Sequence, residues 1–230
     1  MKKFLHSTAL LVTLSTGTAL ADGTKRLDVY GFDASDSVAI NVDHNVARAA
    51  GNTIEKMIAE LAPGDQVKLR SFGTAGIADQ QININITLGK KPRTRPNKIA
   101  PQVGHIVRSL PRLAASGEFA IQPRTNIIGF VERIAPTLDC QNQTTRLILL
   151  TDGIEWSSQV RGDHLLMGKA ELPPPSGPIL KGCSVVMLGV GQQSSKLGTD
   201  SRWFPFLKKK WEAFFMEAGA AKFTAYATFE

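Results

Sequence analysis

The stretch Leu27-Asp28-Val29-Tyr30-Gly31-Phe32-Asp33-Ala34-Ser35-Asp36-Ser37 decides how this chain is read, because an apolar run ends in a carboxylate and two hydroxyls follow at alternate positions. Leu27 to Phe32 has the composition of a strand, which puts Asp33, Ser35 and Ser37 at its end, with a helix to follow. Carboxylate and hydroxyl oxygens at the rim of a sheet are hard ligands. They suit Mg²⁺, Mn²⁺ or Ca²⁺.

Downstream, Val42, Val46, Ala49, Ala50, Met57, Ile58 and Leu61 recur at near-helical spacing until Pro63-Gly64. Gln66 to Phe72 alternates as a strand does, and Gly73 to Gly76 makes a turn. Ile82, Ile84, Ile86 and Leu88 then alternate with Gln81, Asn83, Asn85 and Thr87, so the third strand should run antiparallel to the second and form an edge. Ile99, Val103, Ile106, Val107 and Leu110 predict a second helix, closed by Pro111, while Arg112 to Pro123 has no period. A short helix from Asn126 to Ile134 is opened by Thr125 or Asn126. Arg146 to Thr151 is an apolar run of the kind buried on both faces of a parallel sheet, and it too ends in a carboxylate, Asp152, before Gly153. A helix near Asp163 to Ala170, a loop from Pro173 to Pro178, a strand from Cys183 to Val190, a helix from Trp203 to Ala218 and a strand from Lys222 to Phe229 complete the chain.

This order predicts an α/β fold: a doubly wound, mostly parallel six-stranded sheet in the order 3-2-1-4-5-6, strand 3 antiparallel, with helices on both faces. Ligands of such sheets lie outside the carboxyl ends of the strands, where the order reverses. The first strand and the Leu147 strand should meet there, with Asp33 beside Asp152.

The 230 residues, 43% hydrophobic and 20% charged, fit one domain. Residues 1–21 read as a signal peptide: Lys2 and Lys3 precede the apolar Leu5 to Leu20, and Ala19-Leu20-Ala21 is a small-x-small cleavage site. The expected product is a domain of residues 22–230, exported to a periplasm or secreted. No later apolar run is long enough to span a bilayer. Losing Lys2 and Lys3 lowers the formal charge of +7 by two. The dense basic run Lys90 to Lys98 contains two prolines and no aromatic residue, so no nucleic acid is expected as a partner, and the run reads as a solvated loop with a secondary polyanion contact as the alternative. It should lie at the lower end of the sheet, since the third strand runs downward. In an exported chain the lone pair Cys140 and Cys183 is a disulfide candidate, placed near the starting ends of adjacent strands.

The motifs taken together resemble the von Willebrand factor A domain family over most of the mature chain. Asp33-Ala-Ser-Asp-Ser37 is similar to its D-x-S-x-S motif, Leu61-Ala-Pro-Gly-Asp65 with the strand to Phe72 to its second-strand entry, and Thr125 and Leu149-Leu-Thr-Asp-Gly153 to its remaining metal motifs. The resemblance implies a metal-ion-dependent adhesion site: the hydroxyls of Ser35, Ser37 and Thr125 around a divalent cation, Mg²⁺ first, with the carboxylates of Asp33 and Asp152 acting directly or through water. Mg²⁺ takes about six oxygens and gives up its waters reluctantly, so such a shell retains an open, electrophilic position. A carboxylate from a protein partner would fill it. Asp36 and Glu155 are further acidic residues nearby, and Thr144 and Thr145 are poor substitutes for Thr125 because they precede their strand.

Each piece has a plainer role as well. Ser35 and Ser37 would cap the following helix, and Asp152-Gly153 is ordinary turn chemistry. Enzyme readings are weak: Gly189-Val190-Gly191-Gln192-Gln193-Ser194 misses the last glycine of G-x-G-x-x-G, there is no G-x-S-x-G, and His44, His105 and His164 are scattered. A Mg²⁺-dependent hydrolase and a scaffold that binds without metal remain the alternatives to metal-dependent adhesion. The aromatic segment Trp203 to Phe215 with Lys208-Lys209-Lys210 reads as a helix covering the sheet, its lysines in water.

Overall fold

β1 (Arg26–Asp33) carries large side chains on both faces and is buried along almost its whole length, so it can lie only at the centre of a covered sheet. The computed structural model describes residues 25–74, 81–194 and 202–229. The expected signal peptide and part of the turn after Phe72 lie outside the described residues. After β1 come α1 (His44–Ala59), β2 (Gln66–Phe72), β3 (Asn83–Thr87), α2 (Pro96–Ser116), α3 (Ile127–Ile134), β4 (Thr144–Leu150), α4 (Gly162–Leu166), β5 (Ser184–Leu188), α5 (Trp203–Glu217) and β6 (Lys222–Tyr226). The sheet has the order β3-β2-β1-β4-β5-β6, parallel except for β3.

The helices divide between the faces by the alternation of the strands. Tyr30, Phe32, Leu69, Ile148 and Leu150 face α1 and α2 through Ile54, Ile58, Val103 and Val107. Leu27, Val29, Leu147, Leu149 and Met187 face α3, α4 and α5 through Phe130, Leu165, Trp211 and Phe215. Trp203 to Phe215 therefore covers the sheet, as expected, while Lys208 and Lys209 are exposed.

Pro111 does not close the second helix, contrary to expectation. α2 runs through Pro101 and Pro111 to Ser116 and stops at Gly117, whose φ of 77° supplies a left-handed end. An interior proline costs a helix about 3 kcal/mol. Burial of Val103, Val107 and Leu110, each worth about 1.5–3 kcal/mol, is of the same size as the roughly 6 kcal/mol that Pro101 and Pro111 cost together and offsets it. The same face lets α1 and α2 cross almost backbone to backbone. A Cβ on Gly51 would stand 2.7 Å from the Gly104 carbonyl oxygen, and one on Gly104 would stand 2.9 Å from that of Gly51.

Smaller differences concern helix ends. α1 starts at His44, capped by Asp43, whose carboxylate accepts from the Asn45 and Val46 N–H groups; Val42 lies outside it and is exposed. Asn126, not Thr125, caps α3 by accepting from Gly129 N–H (2.7 Å). α4 is one turn, shorter than the pattern implied. At the lower end of the sheet Cys140 is bonded to Cys183, with the Cα atoms 4.9 Å apart. β3 descends from Asn83, beside Arg70, to Thr87, beside Gln66, so Lys90 to Lys98 also lie at that lower end. They are a loop only as far as Arg95: Pro96 to Lys98 form the first turn of α2, where a proline lacks no helical hydrogen bond. Among the described residues no helix is long and apolar enough to cross a membrane.

Candidate metal centre

The upper end of the sheet brings the two predicted strand ends together. Phe32 pairs with Leu150, so Asp33 and the segment Thr151-Asp152 leave the sheet side by side. Asp33 is fully buried and is held from three directions: Ser35 N–H donates to Oδ1 (2.9 Å), the Thr151 hydroxyl to Oδ2 (2.6 Å), and the Thr125 hydroxyl lies 3.1 and 3.2 Å from the two oxygens. Ser35 Oγ and Ser37 Oγ are 3.2 Å apart. Asp152 Oδ1 accepts from Ile154 N–H (2.9 Å) in a turn, whereas Oδ2 is buried without a hydrogen-bond partner. The Ser37 hydroxyl is near enough to favour the charged form of Asp152, yet it does not reach hydrogen-bond geometry with that oxygen.

Local features explain how a long chain segment reaches this edge. Asn41 clamps the loop after β1, its side-chain N–H groups donating to the carbonyls of Asp33 (2.9 Å) and Ser35 (2.8 Å). The segment after α2 forms a bridge at Gln122, which donates to Ala34 O (2.9 Å) and accepts from Asp36 N–H (3.1 Å). Three residues on, Thr125 accepts through its carbonyl from Trp156 N–H (2.7 Å). Thr145, by contrast, pairs with Leu27 at the lower end of the sheet. Ser35 and Ser37 cap no helix, since the turn at Ala39–Asn41 has Val38 at its cap without a side-chain bond and α1 has Asp43.

Three further residues shape the site. Thr151 holds Asp33 directly. Its hydroxyl was visible between Leu150 and Asp152, but nothing in the local pattern assigned it that contact. Trp211 of α5 donates its indole N–H to Gly153 O (2.7 Å), pinning the turn that presents Asp152; a contact so distant in sequence leaves no local signal. Glu155 is fully buried, and its Oε2 accepts from the N–H groups of Ile127 (2.8 Å) and Ile128 (3.2 Å) at the start of α3, while its Oε1, like Asp152 Oδ2, is buried without a hydrogen-bond partner. Its position makes it a support for the Thr125 segment. Asp36 is exposed at the rim.

The two ends of β1 differ in their charge partners, although burial raises the carboxyl at both, Asp28 and Asp33 each to about 6. Asp28, five residues before Asp33 on the same strand and equally buried, is bracketed by Arg26 (3.0 Å) and Arg146 (2.9 Å). Asp33 and Asp152 have no Lys or Arg partner among the described residues. Burial pushes both carboxyls above the usual carboxylate range, and the Asp33 charge raises Asp152 further. Such a pair needs a proton or a cation. No group of three or more His, Cys, Asp or Glu side chains gathers here or elsewhere among the described residues. The donor set is instead two carboxylates and three hydroxyls, all oxygen, which fits a hard divalent ion and no soft one.

No protein-family model matches the chain, and no characterised protein matches it in sequence. Solved structures similar over most of its length include proximal thread matrix protein 1 from the mussel byssus, at 14% identity, covering 90% of this chain and 44% of that one with a TM-score of 0.47. The pilus adhesin SpaC from Lactobacillus rhamnosus GG matches at 13% identity over 90% of this chain and 29% of its own, with a TM-score of 0.43. The manganese-loaded TRAP protein of Plasmodium vivax matches at 12% identity over 80% and 63%, with a TM-score of 0.35. The chain spans less than half the length of the first two. Likenesses this distant carry no functional weight.

Proposed function

We propose that this chain is an exported protein of von Willebrand factor A type that binds a divalent cation, Mg²⁺ first, through Asp33, Ser35, Ser37, Thr125 and Asp152. Through that ion it binds an acidic group of a protein partner. The observation that carries the reading is the uncompensated pair of buried carboxylates, with Asp152 Oδ2 lacking any partner, beneath hydroxyls that line an open cleft. Asp33 and Asp152 would supply the counter-charge and Ser35, Ser37 and Thr125 neutral oxygens. The bound ion would offer an electrophilic position to a carboxylate from outside. Thr151, Asn41 and Trp211 hold the residues that would bind the ion in place.

Binding is proposed rather than turnover because Glu155, the remaining buried carboxylate nearby, does not line the cleft and has its Oε2 held at the start of α3, which leaves only Oε1, itself buried, without a partner. A hydrolase would turn over phosphoester or peptide substrates in Mg²⁺ above an Asp33→Ala control, and no such turnover is expected.

The direct test is a calorimetric Mn²⁺ titration of the wild type, Ser35→Ala and Asp152→Asn, with circular dichroism to show that each variant is folded. Asp152→Asn keeps the shape and removes the charge, so cation uptake should fall by at least about a hundredfold, roughly 2.7 kcal/mol. Affinity purification from the cell envelope in Mg²⁺ against EDTA then asks whether partner capture follows the cation. Uptake and capture that are the same in all three proteins would overturn the reading.

A further inference from the structure

The cleft beside the proposed cation ligands has features that the five-residue centre does not use. It has a volume of about 360 Å³, and its lining runs from Ser35, Ser37 and Thr125 onto Ile154, Trp156 and Leu166. One part is therefore oxygen-rich and the other apolar. Arg124, adjacent to Thr125 in the chain, is exposed, lies 5.6 Å from the centroid of the Trp156 ring, and has no carboxylate partner among the described residues. The other charges lining the cleft are Asp163, which Arg161 holds through two bonds (2.7 and 3.1 Å), and the exposed Asp36. Trp156 is tied to the centre by its backbone bond to Thr125 O (2.7 Å), so the apolar floor keeps its register with the hydroxyls.

We propose that this cleft, on the cation reading above, takes an extended peptide segment of the partner in which a single acidic residue is adjacent to a bulky apolar one. The carboxylate meets the edge formed by Ser35, Ser37 and Thr125, and the apolar side chain lies on Ile154, Trp156 and Leu166. The size limits what enters: the volume is at the lower end of the about 300–1,000 Å³ that holds a small ligand, enough for one or two side chains of a segment laid across it. Charge sets the rest. Arg124 attracts one acid beside the ion, and Asp36 on the same cleft disfavours a second. An apolar neighbour then gains affinity by leaving water for the Trp156 floor.

The test uses the full chain in Mg²⁺ and three blocked dipeptides: acetyl-aspartyl-phenylalanine amide, the aspartyl-glycine analogue and the asparaginyl-phenylalanine analogue. Binding is followed by ¹⁵N NMR of the tryptophan indoles, with Trp156 assigned by a Trp156→Phe variant. The aspartyl-phenylalanine peptide should bind about tenfold more tightly than aspartyl-glycine, about 1.4 kcal/mol, and should shift the Trp156 signal. The asparaginyl peptide should bind at least about tenfold more weakly than its aspartyl counterpart. Trp156→Ala should erase the preference for phenylalanine, and Arg124→Gln should weaken both acidic peptides. If Trp156→Ala fails to fold, Leu166→Ser reads the same floor from a partly exposed position. A Mn²⁺ titration of the wild type separates the two readings. Cation uptake with equal or absent binding of the two aspartyl peptides overturns the peptide proposal alone, whereas no uptake overturns the cation reading and the peptide proposal with it.

Discussion

Asp33, Asp152 and Glu155 share one consequence of burial: each is easier to protonate in the folded chain than in the unfolded one, with Glu155 pushed up to about 7. A carboxyl raised by folding stabilises the protein fully below its unfolded pKa, near 4, and that stabilisation is lost as pH rises through the folded value. The metal-free protein should therefore lose stability between about pH 4 and pH 7 from these groups. A divalent cation reverses the balance by supplying at neutral pH the positive charge that protons supply in acid. The rise in melting temperature on adding Mg²⁺ should thus be larger at pH 8 than at pH 5, and Asp152→Asn should flatten the metal-free pH profile. Scanning calorimetry at the two pH values checks both statements, and a Mg²⁺ shift that is larger at pH 5 would contradict them. Asp28 is raised by burial as well, to about 6, and adds to the metal-free pH profile, but Arg26 and Arg146 stay beside it, so added cation has no unpaired charge there to relieve.

Where α1 crosses α2 at Gly51 and Gly104 the two backbones meet closely, and Gly51 decides the sign of a simple substitution there. Alanine in place of glycine within a helix ordinarily gains about 1 kcal/mol. At position 51, however, the new Cβ would stand 2.7 Å from a backbone oxygen of α2, which cannot rotate away, and overpacking of this kind costs about 1–3 kcal/mol. Gly51→Ala should therefore be net destabilising by up to about 2 kcal/mol in a urea melt, while Gly168→Ala, with open space around it but φ of 68°, tests strain alone. A more stable Gly51→Ala protein would mean that the helices are not in close contact. The same pair of helices shows where sequence reading stops. Strands were legible because Leu27 to Phe32 and Arg146 to Thr151 are apolar on both faces, a pattern carried by consecutive residues. The end of α2 was not, because Pro111 is a local stop signal overridden by burial against another element. Thr125 was legible as a residue type and not as a position, since the bridge at Gln122 that delivers it depends on the loop after β1.

At the scale of the whole molecule the two ends of the sheet are built differently. The upper end leaves two carboxylates uncompensated, while the lower end is closed by its own resources: the ion pairs around Asp28 and the bond between Cys140 and Cys183. That bond joins segments just before β4 and β5, and a Cβ at position 182 would meet the Cys140 carbonyl oxygen at 2.8 Å, so Gly182, with φ of 87°, belongs to the same fastening. It closes a loop with a sequence separation of 43 residues, for which the chain-entropy relation gives roughly 4 kcal/mol. In a chain of this size about 1 kcal/mol moves the melting temperature by about 2–4 °C. Cys140→Ser/Cys183→Ser should therefore melt roughly 8–16 °C lower than the oxidised wild type, and its melting temperature should not respond to reductant, whereas that of the wild type should fall. Because β4 spans the full height of the sheet between the bond and Asp152, loosening the lower end should not rearrange the oxygens at the upper one. Mn²⁺ uptake by the folded double variant should then stay within about threefold of the wild type, a difference of about 0.65 kcal/mol. Calorimetric unfolding and Mn²⁺ titration on one preparation test both halves of the prediction. A variant that keeps its melting temperature would deny the disulfide its stabilising role, and one that loses the cation while still folded would show that the two ends of the sheet are coupled.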